Sequence, residues 1–432
     1  PEKESSYEVE DMAKEAAPVK LVEEEEEEPL FKQKTKGRIS VASYSNMSSQ
    51  LTKHRMRYAF SFRGDHLNNG RFSTDTYITF RHTLNEWGDV KTNLANALKV
   101  YSLDVKYDID PTMSVTLGRK INPKISSMGA IDGLQFEKTL GGEFVVGVLA
   151  GSRPDYSDYS FNLNLMQAGA YLGYVADKSK KYNQTTLGFV EQRNHINIDR
   201  RFVYFQHSNS IVENLSFFTS MEMDLYEHIH EVAKNTLKLT NLYASLRYRY
   251  SRALRFSLSY DQRNNVIYYE SYKNFIDRLI EDETRQGFRF GVNIRPFKYV
   301  TWSINTGWRF QKSDINVSKN LNSYLSFNRV PWLNIRASLT ANFLKTNYID
   351  SKIYGLRINK DIIRGKLSAE GYLRFVNYRY LGYDNTVRQK IGGMSLSVRL
   401  MHKLSLYLYY EGTLTDKNEL FNRFNTKIIQ RF

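Results

Sequence analysis

Cysteine is absent from the 432 residues, which excludes disulfides and thiolate metal sites and permits an oxidising compartment without requiring one. No apolar run approaches the ~20 residues of a membrane helix. The longest, residues 144–151 (Phe-Val-Val-Gly-Val-Leu-Ala-Gly), has the length of a strand. If this chain spans a bilayer it therefore does so as a closed barrel, the other structure that satisfies its backbone in lipid. Proline is scarce, and after residue 36 no linker, composition break or second periodicity marks the two or three domains this length would suggest. A barrel accounts for that, because it grows by adding strands rather than by enlarging one core.

Recognisable reaction chemistry is missing too. There is no Gly-rich phosphate loop, Gly-x-Ser-x-Gly elbow or His-Glu-x-x-His helix. The eight histidines are scattered; His228 and His230, beside Glu227 and Glu231, form at most a weak two-imidazole site. The chain is expected to use no metal and no cofactor, and to be no enzyme.

What fills the sequence is alternation. Met56, Tyr58, Phe60 and Phe62 share one parity while Arg55, Arg57, Ser61 and Arg63 share the other. The pattern returns at 72–81, 101–109, 215–225, 240–250, 288–294, 302–310, 333–343, 367–375 and 404–410. It closes with Phe424, Thr426, Ile428, Gln430 and Phe432 against Arg423, Asn425, Lys427 and Arg431. Period two argues strand. One face is repeatedly too polar for a soluble core, as in barrels whose lipid-facing residues alternate with residues facing a wet lumen.

Turns sort by length. Short ones fall at 108–112, 140–142, 251–253, 296–298, 330–332, 363–366 and 401–403; longer loops fall at 85–97, 152–164, 227–235 and 266–283. Counting strands against this scheme predicts about 22, within about two to four, with both chain ends on the short-turn side. Residues 271–283 carry Tyr272, Phe275, Ile276, Leu279 and Ile280 at helical spacing, suiting either a gate or a small helix on the rim. Aromatics are plentiful, with 31 Tyr and 25 Phe. Tyr378, Tyr380 and Tyr383 near presumed strand ends suit a headgroup layer, and simple strand propensity also accounts for them.

Charge is unevenly divided. Residues 1–30 hold 12 acidic side chains against three lysines, a net −9, so the remainder carries +24 of a total +15. Glu23, Glu24, Glu25, Glu26, Glu27 and Glu28 form an unbroken run. This defines an acidic extension over 1–36, expected to be periplasmic, ahead of a barrel over 37–432. The run is either held by basic groups, with Arg247, Arg289 and Arg295 as candidate acceptors, or a solvated tether. If apolar positions face lipid, the lumen receives Arg55, Arg57, Arg63, Arg81, Arg247, Arg249, Arg255, Arg289, Arg295, Arg309, Arg336, Arg357, Arg374 and Arg399. Acidic residues such as Asp75, Asp104, Glu222, Glu370 and Glu411 share that parity. The set suits an anion-attracting pore or a cross-strand ion-pair lattice, and the two coexist readily. A pI of about 9.5 is common among nucleic-acid binders, but here the charge is spread round an interior, so no nucleic-acid partner is expected.

The alternating strands, the aromatic C-terminal Phe432, and turns such as Asn122-Pro123-Lys124 and the stretch 129–135 (Gly-Ala-Ile-Asp-Gly-Leu-Gln) resemble outer-membrane β-barrel proteins of the Bacteroidota type across residues 37–432. The resemblance implies an all-β, transmembrane, up-and-down antiparallel barrel in a bacterial outer membrane. It also implies outer-membrane lipid as surroundings, folding by the barrel assembly machinery through the strand ending at Phe432, and periplasmic termini. The expected role is a porin-like channel with an Arg-rich lumen for small anionic solutes. The alternative is a non-conducting scaffold or accessory subunit of an outer-membrane assembly or secretion complex, bound to other envelope proteins. No signal peptide is visible at Pro1, and the chain is read as mature or trimmed. Neither a long constriction loop nor a large plug domain is evident, although barrels of this size keep their lumen filled.

Overall fold

The computed structural model describes residues 31–48, 52–155, 158–178, 181–210, 212–229, 232–263, 286–310, 317–382 and 385–432. The acidic run 23–28 and the segment 271–283 lie outside the described residues. The strands are β1 (Lys34–Met47), β2 (Thr52–Asp65), β3 (Phe72–Thr83), β4 (Leu98–Asp110), β5 (Met113–Ile121), β6 (Ala130–Leu140), β7 (Phe144–Ser152) and β8 (Leu165–Lys178). They continue as β9 (Lys181–Asn194), β10 (Asn197–Asn209), β11 (Leu215–Ile229), β12 (Val232–Arg249), β13 (Leu254–Arg263), β14 (Gln286–Phe297) and β15 (Val300–Arg309). The last are β16 (Ser318–Val330), β17 (Ile335–Lys345), β18 (Ile349–Ile363), β19 (Leu367–Tyr380), β20 (Asn385–Arg399), β21 (Leu404–Thr415) and β22 (Leu420–Arg431).

Each strand pairs antiparallel with its sequence neighbours, and β1 also pairs with β22, so one 22-stranded sheet closes on itself. The expected strand number and topology are both observed. At the end carrying the chain termini the connections span two to six residues; at the opposite end they range from two to 22. One loop was misplaced by sequence: β11 runs on to Ile229 and β12 begins at Val232, with Glu227 opposite Lys234.

Cross-strand partners share a face, so register carries one face round the whole wall. On the outside Leu117 pairs with Leu134, Leu172 with Leu187, and Leu339 with Leu356, itself paired with Leu373. Leu117, Leu134 and Leu373 are each at least half exposed. A continuous apolar surface of this kind belongs in hydrocarbon. The inner face includes the row Ser257, Gly291, Asn305, Asn322 and Asn342, paired in that order across β13–β17.

The seam is fixed by ten register pairs from Arg38–Arg431 to Met47–Asn422. Two further backbone bonds link Gly37 and Phe432, at 2.9 and 3.1 Å. The Phe432 ring lies over Gly37, where a Cβ would fall 2.0 Å from it, and stacks on Phe62 at 6.3 Å. Only glycine leaves that space, so the aromatic covers backbone that would otherwise lie bare.

Inside the barrel, the connection between β5 and β6 folds against the wall. Asn122 caps its 3-10 segment (Pro123–Met128), which kinks at Ile125, accepting from the Lys124 N–H at 2.9 Å, and delivers Ile125 and Met128 onto Val145, Leu149, Tyr171, Val190, Phe202 and Tyr204. Ile125, Val190 and Phe202 are 0% exposed. A lumen-side core of this kind is invisible to alternation, because it makes both faces of β7–β10 apolar. Tyr171 fits by lying over Gly147, and its hydroxyl donates to Glu137 at 2.5 Å. Tyr372 repeats the arrangement over Gly393, donating to Glu411 at 2.5 Å.

Added bulk at Gly147 would meet the Tyr171 ring at 2.2 Å, whereas Gly371 has no atom nearer than 4.0 Å. Gly147→Ala should therefore cost about 1–3 kcal/mol by overpacking, and Gly371→Ala no more than about 0.5 kcal/mol. The check is the denaturant or temperature midpoint for loss of compact gel migration in detergent; equal midpoints for the two variants would refute the packing role.

Candidate functional site

β1–β6 curve around a cavity of about 1730 Å³. It reaches from Lys34, Asp65 and His66 at the terminal end to Arg81 and Lys99 at the opposite end. Its walls carry eight Lys or Arg (Lys32, Lys34, Arg63, Arg81, Lys99, Lys106, Lys120, Lys124) against four Asp or Glu (Asp65, Asp75, Asp104, Glu137). The acids are mostly engaged: Lys120 meets Asp104 at 2.9 Å, Lys124 meets Glu137 at 2.7 Å and Arg63 meets Asp65 at 3.1 Å. Cationic charge remains in excess.

Register sharpens this. Asp75 sits directly opposite Asp104, and this acidic pair lies between Arg63 on β2 and Lys120 on β5. Asp104 is almost fully buried, and its second carboxylate oxygen has no hydrogen-bond partner. Arginines also face arginines: Arg57 opposite Arg81, Arg38 opposite Arg431 and Arg249 opposite Arg255. Like charges placed directly opposite are destabilising. Such pairs run against a pure ion-pair lattice.

A second connection enters the barrel mouth. Tyr159, in the loop between β7 and β8, adopts a left-handed φ of 65° and packs its ring on Tyr101 at 5.2 Å. Arg119 holds it, donating to the Tyr159 and Val100 carbonyls at 2.7 Å while gripping Asp132 with two bonds. Ser160 donates its hydroxyl and its backbone N–H to Asp158, which holds that loop carboxyl below the usual carboxylate range.

Of the arginines singled out by sequence, Arg63 and Arg81 line the cavity. Arg55 and Arg57 share their face, and Arg57 donates to the Tyr77 hydroxyl at 3.1 Å. Arg247, Arg249, Arg289, Arg295 and Arg309 lie on β12–β15, away from it. Arg336 bonds Asn359 at 2.7 Å, Arg357 pairs with Glu370 at 3.6 Å, and Arg374 lies 5.1 Å from the Tyr372 ring centre. Arg399 lines a separate 280 Å³ pocket with Arg431. Among the tail acceptors suggested above, Arg289 is corrected: β14 begins at Gln286 at the opposite end, so Arg289 lies far from the termini, while Arg247 and Arg295 lie near them.

The lysines of the cavity were missed. Lys106 shares parity with Asp104 and Asp108, which the alternation of β4 already indicated. Lys99 escaped because the register slips at Tyr77/Ile78, which shifts its parity relative to Asp104, whereas Lys120 keeps the parity of Ser114 and Thr116, which also line the cavity. His228 lies beside undescribed residues, and no cluster of three metal-ligating side chains occurs among the described residues.

No family model matches this chain, and no curated protein matches it. Solved structures do. A ferric enterobactin receptor mutant from Pseudomonas aeruginosa in complex with enterobactin is similar at TM-score 0.54 and 9% identity, covering 93% of this chain and 82% of that one. The P pilus usher PapC translocation pore is similar at TM-score 0.52 and 9% identity, covering 92% of this chain and 99% of that one. Likeness at this identity establishes the fold alone.

Breaking the Arg119–Asp132 grip should release the Tyr159 loop. Arg119→Met leaves Asp132 buried without its partner, an expected cost of about 3–5 kcal/mol, and should make the 153–164 loop cleavable by added protease. A cleavage rate and unfolding midpoint equal to those of the parent would rule out the anchoring role.

Proposed function

We propose that this chain is an outer-membrane channel for small anionic solutes, with the short-turn end and both termini facing the periplasm. The observation that carries this reading is the opposed arginines on the inner face, above all Arg57 with Arg81 beside the basic cavity. Two cationic side chains opposed across a ladder add to the positive potential of the inner face, where Arg57 also donates to the Tyr77 hydroxyl at 3.1 Å. Aligned cations in a low-dielectric wall also focus field and raise the local anion concentration. The wall supplies recognition and passage, and no catalytic constellation is needed. The apolar outer face meets lipid, and the strand ending at Phe432 is the element offered to the assembly machinery.

The test is reversal potential in planar bilayers across a salt gradient. The parent should favour anions at about 0.1 M salt and lose most of the preference near 1 M, where the screening length falls to about 3 Å. The double variant R57Q/R81Q should shift the reversal potential toward cations, and R249Q should do so less. Cation preference in the parent would overturn anion selection. An absence of conductance in the parent, with stable co-purification of envelope proteins, would favour the scaffold reading instead.

A further inference from the structure

The chain just ahead of β1 is fastened at one mouth of the basic cavity. Phe31 stacks on His66 at 4.7 Å. Gln33 and the β2–β3 turn exchange two bonds: the Gln33 N–H donates to Asn69 at 2.9 Å, and its side chain accepts from the Asn68 N–H at 3.0 Å. Lys32 and Lys34, which flank Gln33, both line the cavity. The residues before Phe31 therefore set out from the opening of a chamber rich in cations.

We propose that this cavity is a binding site for an acidic peptide segment, and that its occupant is the chain's own run Glu23 to Glu28. Charge and length agree. The walls carry eight cations against four acids, with Lys106 also paired to Asp108 at 2.7 Å, and the run brings six carboxylates. Glu28 precedes Phe31 by three residues and Glu23 by eight, so an extended run spans from about 10 to 28 Å beyond the anchor. The wall of β3 from Ser73 to Arg81 is about 26 Å long. Each exposed carboxylate–cation contact is weak, so occupancy depends on many together and weakens as salt screens them. Occupancy itself stands apart from transport; its consequence, that the run competes with anionic solutes for the cavity, rests on the channel reading.

Because the chain has no cysteine, a pair can be introduced cleanly. Ser114 lines the cavity, while Leu117, on the same strand, points outward and is 63% exposed. E25C/S114C should form an intramolecular disulfide on mild oxidation, seen as a reducible shift in gel migration, and E25C/L117C should not. The disulfide yield should fall in about 1 M salt, where the screening length is about 3 Å. In bilayers, replacing all six residues (E23Q, E24Q, E25Q, E26Q, E27Q, E28Q) should raise anion conductance. No disulfide in the first pair, or equal yield in both, overturns the proposal and leaves a solvated tether. If no variant conducts, the channel reading falls while the disulfide pair still decides occupancy. If the parent and the Gln variant conduct alike and no disulfide forms, the occupancy falls and the channel stands.

Discussion

Everything in this molecule depends on one requirement: in hydrocarbon, no backbone N–H or C=O can be left unpaired, since each costs several kcal/mol. A sheet satisfies this only by having no edge. The first strand must therefore meet the last, and Arg38–Arg431 through Met47–Asn422 make that junction. Once the sheet is closed, period-two patterning sorts side chains onto two surfaces, and the polar surface acquires an enclosed space. The basic cavity follows from closure.

Within that space, electrostatics is divided between stiffening and attraction. Arg200, held by Glu222 at 2.8 Å and Asp224 at 2.7 Å, is a fully committed cation, as is Arg119 with Asp132. Buried pairs of this kind are weak evidence for stability, but breaking them is costly, so they fix geometry. The Arg57–Arg81 and Arg38–Arg431 juxtapositions do the reverse. One wall thus holds both a rigid lattice and a region whose positive field is only partly neutralised.

Much of the fold was legible because the barrel rule is local. Met56 to Phe62 and Phe424 to Phe432 declare their faces without reference to any distant residue, and short turns such as 363–366 and 401–403 declare the ends. The cavity was legible only in part. Arg63 and Arg81 sit on unbroken alternation and were placed on the inner face. Lys99 lies beyond an irregularity in β4 that shifts parity by one, and such shifts are set by backbone contacts between strands. Lys120, by contrast, keeps the parity of Ser114 and Thr116 and was open to the same reading as they were. The inner core was hidden for a different reason. Ile125 and Met128 belong to a connection that reads as an ordinary turn, and their partners Val190 and Phe202 lie on strands whose two faces are both apolar, so alternation does not separate them. The tuck of that turn depends on Gly147 and on Gly188, where a Cβ would fall 2.4 Å from Ile125.

That inner core also has a mechanical consequence. Along β6–β10 the wall is two layers thick, a sheet backed by a close-packed turn, and close-packed layers resist compression. Along β13–β17 the inner face is a single layer among the described residues, with Gly291 and Gly307 facing inward beside Ser257, Asn305, Asn322 and Asn342 and long side chains such as Arg289. Lateral pressure from the bilayer therefore meets a stiff arc on one side and a compliant arc on the other. Bending under load concentrates in β13–β17, while the arc β6–β10 keeps its shape through such deformation.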